Sequence, residues 1–228
     1  MSVHVPVPRE RGPSPLRAEQ VLPLNRRRLE DRMQDLGDLY AATQAGPSWE
    51  VDRGRRVFQR RLAADARRPG FALLVAEVCG ASDDTPEDRT TSGTAGTAGA
   101  RGAAVLTGCA YGFPVTDHAS WWRGVDRYLP ADLARLGASG RLFAVARILV
   151  APEVCTRHRN ADWNLARRLQ TRLLADHDAA AGVTLVDRTD TATLTALCGW
   201  GWRYAEEDTA PGTVLPALPW RLLTLVPR

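Results

Sequence analysis

Three stretches of this chain are apolar almost throughout, yet too short for core helices: FALLVAEV at Phe71–Val78, AAVLTGCAYGF at Ala103–Phe113 and LFAVARILV at Leu142–Val150. Runs of this kind, bounded by Gly and Pro, read as strands with both faces covered. Pro69-Gly70 precedes the first run and Pro152 stops the third. Strands covered on both faces need helices on both sides, and the sequence supplies them. Asn164–His177 sets Leu165, Leu169 and Leu173 four residues apart, with Ala166 and Leu174 beside them. Leu29–Ala42 carries Leu29, Met33, Leu36, Leu39 and Tyr40 at helical spacing. After the break at Gly46-Pro47-Ser48, Asp52 reads as the cap of a second helix with Val57, Phe58, Leu62 and Ala66 as its apolar stripe. Shorter patterns predict strands near Ala18–Leu24, Val183–Val186 and Trp220–Val226, and helices near Pro130–Leu136 and Asp190–Cys198. The order predicts an α/β fold with helices on both sides of a central sheet.

The 228 residues suit one domain. Residues 1–15, rich in Pro, Arg and Gly, are expected to form a disordered tail. Residues 80–102, with their Gly-Thr-Ala repeats, have no hydrophobic periodicity and are expected to be a flexible loop at a hairpin tip. One domain over 16–228 remains. No stretch approaches the roughly 20 apolar residues of a membrane span. The Pro-rich start lacks the apolar core of a signal peptide, so a cytoplasmic location is expected. All 30 basic residues are Arg, and 26 acidic residues are scattered among them. That mixture argues against a nucleic-acid partner, and the Arg-rich stretch Arg53–Arg68 reads as a solvated helix face. Four cysteines without a C-x-x-C pair, and four histidines without ligand spacing, argue against a metal.

The run Asn164-Leu165-Ala166-Arg167-Arg168-Leu169 follows a buried strand, and a second strand–helix pair leads to Gly201-Trp202. This arrangement resembles the GNAT superfamily, the Gcn5-related N-acetyltransferases, over 16–228 in element order and most specifically over Phe143–Trp202. The segments Gly108–Val115 (GCAYGFPV) and Trp121–Gly124 (WWRG) are similar to a group of actinobacterial GNAT proteins of unassigned acceptor. The resemblance implies a GNAT-like mixed, mostly antiparallel central sheet with helices on both faces. It implies acetyl-CoA as acyl donor and a small-molecule or protein amine as acceptor, and it leaves a homodimer open. In such proteins the fourth strand splays from its neighbour, which implies that main-chain groups near Ile148, Leu149 and Val150 pair with the pantetheine arm. The pyrophosphate docks where a helix N-terminus presents unpaired N–H groups and partial positive charge. The residues implied there are Arg159, Trp163, Asn164, Leu165, Ala166 and Arg167. Trp121 and Trp122 fall in a segment that borders the acceptor pocket, where they can form an apolar wall.

The sequence departs from the family pattern at three places. Asn164 stands where the family has glycine, and Asn tolerates left-handed dihedrals. The lengthened segment Val154–Trp163 carries Arg157, His158 and Arg159 but also Asp162, a candidate N-cap that would compete with phosphate for the helix amides. Leu197 and Arg147 occupy the positions where the family often has a Tyr acid and a Glu base. Asp187, Asp190, Tyr111 and His118 are candidate substitutes, each with an ordinary turn, cap or packing role as the alternative. Arg147, reading with Phe143, Val145 and Leu149 on one face of its strand, either pairs with an acid such as Glu77 or binds an anionic group in the cleft. The function expected is acyl-CoA-dependent N-acyltransfer; the alternative is a GNAT-fold binding or sensor protein that no longer catalyses.

Overall fold

A computed structural model describes residues 19–78, 104–115, 129–157, 164–205 and 219–227. The N-terminal tail and the loop expected at 80–102 lie outside these residues. The elements run β1 (Glu19–Pro23), α1 (Arg26–Asp31), α2 (Met33–Ala42), α3 (Ser48–Asp65), β2 (Ala72–Val78), β3 (Val105–Pro114), α4 (Ala131–Ala138), β4 (Leu142–Val150), α5 (Pro152–Arg157), α6 (Leu165–Ala175), β5 (Ala181–Asp187), α7 (Thr191–Gly199), β6 (Arg203–Tyr204) and β7 (Trp220–Leu225). They build one seven-stranded sheet in the order β1-β2-β3-β4-β5-β7-β6. Every neighbouring pair is antiparallel except β4 with β5. Among the described residues no helix is long and apolar enough to cross a membrane.

The three apolar runs become β2, β3 and β4, the centre of the sheet, and both of their faces are covered. On one face lies α6: a Cβ at Gly108 would meet Leu165 and Leu169, and a Cβ at Gly182 would meet Leu174. Leu169, Leu173 and Leu174 are fully buried. Burying a leucine contributes about 1.5–3 kcal/mol, so this one stripe holds the helix down. On the other face Tyr111 of β3 packs against Phe58 of α3, with ring centroids 6.4 Å apart. Phe113, Leu142 and Ala144 share a cluster with Leu133 of α4 on that same side.

Two helix boundaries differ from the sequence reading. The predicted helix Leu29–Ala42 is two helices, interrupted at Arg32 with φ −101° and ψ 5°. Arg32 there binds Asp35 (2.7 Å) and Glu77 (2.5 Å), so a long-range ion pair coincides with the interruption. The second helix begins at Ser48, directly after Pro47 at the cap, and Asp52 lies inside it, bound to Arg55 at 2.6 Å. Proline fits a helix start because its missing N–H costs nothing there. The same property lets Pro152 both end β4 and open α5.

Sheet irregularities set what faces what. Tyr111 pairs with Arg147, but Gly112 pairs with Val145, so Ala146 is an extra residue in β4. The bulge brings the two backbones so close that a Cβ at Gly112 would lie 2.0 Å from the Ala144 carbonyl oxygen. Only glycine fits.

Candidate functional site

Strand β4 pairs with β5 at Leu142, Phe143 and Ala144 and at no later residue, although both strands run on. Their divergence begins at the bulge. Ala151 N donates to Thr107 O at 2.8 Å. By the alternation of antiparallel pairing, the peptide groups of Leu149 therefore turn toward β3. Those of Ile148 and Val150 turn to the side where β4 and β5 separate. The three residues named together from sequence thus divide, with Ile148 and Val150 on the diverging side and Leu149 directed into the β3 pairing.

Helix α6 begins just past this point, and its N-terminus is closed by its own cap. Asn164 Oδ1 accepts from Ala166 N (2.9 Å) and Arg167 N (3.4 Å). Two of the first three helix amides are therefore engaged. Asn164 is extended, with φ −139° and ψ 121°, and not left-handed as its glycine-like position suggests. The N-cap position belongs to Asn164, and Asp162 lies outside the described residues. An Asx oxygen reaches the second and third amides only from an extended backbone. Leu165 and Ala166 bury their side chains in the core and offer only main-chain groups. Arg167 directs its guanidinium to Gly199 O at 2.9 Å, the last turn of α7.

Two buried polar networks, neither legible from periodicity, fix α6. Glu19, whose side chain is fully buried, accepts from Thr107 Oγ1 (3.1 Å) and from Arg168 Nη1 (3.0 Å). This ties the first turn of α6 to β1 and β3. Gln170 donates to Trp200 O (2.8 Å) and accepts from Trp202 Nε1 (2.9 Å). Gly201, at φ +101°, makes the turn that returns Trp202 to the core. A charged or amide residue in an otherwise apolar pattern was the available signal for both networks.

Arg147 does not pair with Glu77, which Arg32 binds instead. Nor does it share a face with Phe143 and Val145. Phe143 packs on His177 just past the end of α6, 4.7 Å between centroids, whereas Arg147 stands opposite Tyr111, on the α3 side. The bulge at Ala146 is the reason, since one extra residue reverses the alternation. Among the described residues the Arg147 Nε is buried without a hydrogen-bond partner. Burial pushes the Tyr111 hydroxyl well above its ordinary value and the Cys109 thiol up to about 12, although the Arg147 charge pulls both down. Both groups stay protonated at neutral pH.

The other candidate substitutes have structural roles. Asp187 Oδ1 accepts from Thr189 N (2.8 Å) and Oγ1 (2.6 Å), which holds this carboxylate below its usual range. Asp190 caps α7 through Thr193 N (3.0 Å). Leu197 is buried and supplies no proton. His118, Trp121, Trp122, Arg159 and Trp163 lie outside the described residues. Among the described residues no group of three His, Cys, Asp or Glu is placed to hold a metal ion.

The mixed, mostly antiparallel sheet, the helices on its faces and the divergence of β4 from its neighbour are those implied by the resemblance. The fold is GNAT-like. No family model matches the sequence, and no curated protein does. Solved structures similar in shape include a protein from Desulfovibrio desulfuricans described as a GNAT-family acetyltransferase, 12% identical over 92% of this chain and 100% of that one, with TM-score 0.48. An acetyltransferase from Streptococcus agalactiae is 8% identical over 92% of this chain and 98% of its own, also at TM-score 0.48. A protein from Salmonella typhimurium, solved with its cofactor acetyl-CoA, is 14% identical over 92% and 95%, at TM-score 0.40.

Proposed function

We propose that this GNAT-like protein is an acyl-CoA-dependent N-acyltransferase that moves an acetyl group from acetyl-CoA to an amine. The observation that carries the reading is the divergence of β4 and β5 directly after the bulge, with the start of α6 following it in the chain. An extended pantetheine arm needs main-chain partners along one strand, and the peptide groups of Ile148 and Val150 are directed to that side. The pyrophosphate is assigned to the first turn of α6 at Asn164, Leu165, Ala166 and Arg167, with Arg159 and Trp163 from the preceding segment. Trp121 and Trp122 are assigned to the acceptor side.

In the reaction the neutral amine nitrogen attacks the thioester carbonyl, the C–S bond breaks, and CoA leaves as thiolate. The proton lost by the amine balances the one the thiolate gains. Position supplies much of the rate in such a transfer, because two bound reactants react as one.

A second reading has its own observation. The Asn164 cap occupies two amides that a pyrophosphate would use, which favours a GNAT-like protein that binds a partner or ligand without catalysis. Isothermal titration with acetyl-CoA and CoA separates the two. Micromolar binding, with thiol release when an amine panel is added, is expected for the enzyme. The absence of heat and of thermal shift at millimolar ligand would remove it.

A further inference from the structure

Arg147 is the least explained charge in the sheet. It sits on β4 one residue past the bulge, where β5 has already left. Its side chain is half-buried and its Nε is fully enclosed, without an acceptor among the described residues. An arginine carries five donors and cannot shed its charge. Holding such a group in a central strand is costly unless something binds it.

Among the described residues, four carboxylates of α2, α3 and β2 are engaged elsewhere. Glu77 is bound by Arg32, Asp65 by Arg68, and Asp38 and Asp52 by Arg55. The neighbours that feel the Arg147 charge, Tyr111 and Cys109, stay neutral and cannot compensate it. Among the described residues Arg147 has no ion-pair partner, and a bound reactant can supply one.

Its side of the sheet says which reactant. Gly108 faces α6, while Tyr111, three residues on, faces Phe58 of α3. Arg147 stands opposite Tyr111 and so lies on the α3 side. The first turn of α6, assigned above to the donor's pyrophosphate, belongs to the other face. A phosphate of the donor does not satisfy Arg147 in that arrangement.

We infer that Arg147 binds the carboxylate of the acceptor, which makes the acceptor an amine bearing a carboxylate, of the α-amino-acid class. The inference rests on the acyltransferase reading and names its second substrate. A guanidinium holds a carboxylate through two parallel N–H···O bonds, so it both attracts and orients. The carboxylate would complete the half-buried charge at the end of β4 and leave the amine free to meet the thioester.

The test compares the standard L-amino acids with their own amides, which keep the amine and remove the charge. With acetyl-CoA and wild-type protein, kcat/KM is expected to be at least about tenfold higher for the acid than for the amide, the usual scale for a hydrogen bond to a charged group. Arg147→Gln is expected to erase that ratio by raising KM for the acids, and Arg147→Lys to restore part of it. Equal rates for acids and amides on the wild type, with acetyl-CoA turned over, would overturn the inference and leave the acyltransferase reading standing. This comparison needs no variant, so a folding defect cannot obscure it. Succinyl-CoA against acetyl-CoA forms a second arm: tighter binding of succinyl-CoA, abolished in Arg147→Gln and without preference among acceptors, would move the carboxylate to the donor and overturn the assignment. If acetyl-CoA does not bind at all, the acyltransferase reading falls by itself. Thermal shifts with the same acids and amides then decide: stabilisation by acids alone, lost in Arg147→Gln, supports the carboxylate site, and no stabilisation refutes it.

Discussion

Replacing Asn164 with glycine removes the side chain at the start of α6, and with it the oxygen that caps the helix. That oxygen closes the Ala166 and Arg167 amides at 2.9 and 3.4 Å. A side-chain N-cap contributes about 1 kcal/mol, and glycine at the same position costs only a few tenths. A pyrophosphate that docks on these amides must first displace the Asn164 side chain, so the cap works against it by about 1 kcal/mol. Removing the cap returns that energy to the ligand, which corresponds to about fivefold tighter binding, since tenfold is about 1.4 kcal/mol. Titration calorimetry with CoA and with pantetheine measures this. Pantetheine lacks the pyrophosphate and is expected to bind both proteins alike. CoA is expected to bind Asn164→Gly about fivefold more tightly. Equal or weaker CoA binding to the variant, or the same gain for pantetheine, would refute the competition between cap and ligand. Asn164→Ala, by contrast, is expected to lower stability by about 1 kcal/mol in urea unfolding.

Three further outcomes follow from the buried polar groups. Glu19→Ala is expected to destabilise the protein by about 3 kcal/mol in urea denaturation, because it leaves Arg168 and Thr107 without the carboxylate they share. Stability is expected to fall as pH rises above about 9 to 10. Cys109 and Tyr111 titrate higher folded than unfolded, so their contribution is whole below the unfolded values of 9.0 and 10.0 and is lost above them. Tyr111→Phe with Cys109→Ala is expected to flatten that alkaline limb in unfolding followed by circular dichroism. Iodoacetamide at pH 8 is expected to modify exposed Cys198 and spare buried Cys109, as read by peptide mass spectrometry.

What the sequence made legible was whatever depends on neighbours along the chain. The central strands and α6 stood out because unbroken apolar runs and i+4 leucines are local patterns. The interruption at Arg32 was not legible, since its partner Glu77 lies 45 residues away. The start of α3 lies at Pro47, whereas Asp52, an equally good cap by residue type, falls inside the helix. The reversal of Arg147 could not be read from alternation, because alternation assumes an unbroken pleat and Ala146 breaks it. At the α6 start the residue type of Asn164 is plain in the sequence, but its extended conformation is not. Sequence suggested a stand-in for glycine's flexibility, whereas the side chain acts as a fixed hydrogen-bond acceptor.

The bulge makes β4 two half-strands whose side chains alternate in opposite phase. The first half gives Phe143 and Val145 to the α6 side, and the second gives Arg147 and Leu149 to the side of Tyr111 and Cys109. Deleting Ala146 would therefore leave the side chains on their present faces: Val145 and Arg147 would become neighbours, and an unbroken pleat would send them to opposite sides. What the deletion would change is the path of the strand, whose divergence from β5 begins at the bulge. The odd residue thus serves the course of the backbone, and Gly112 leaves the room for it.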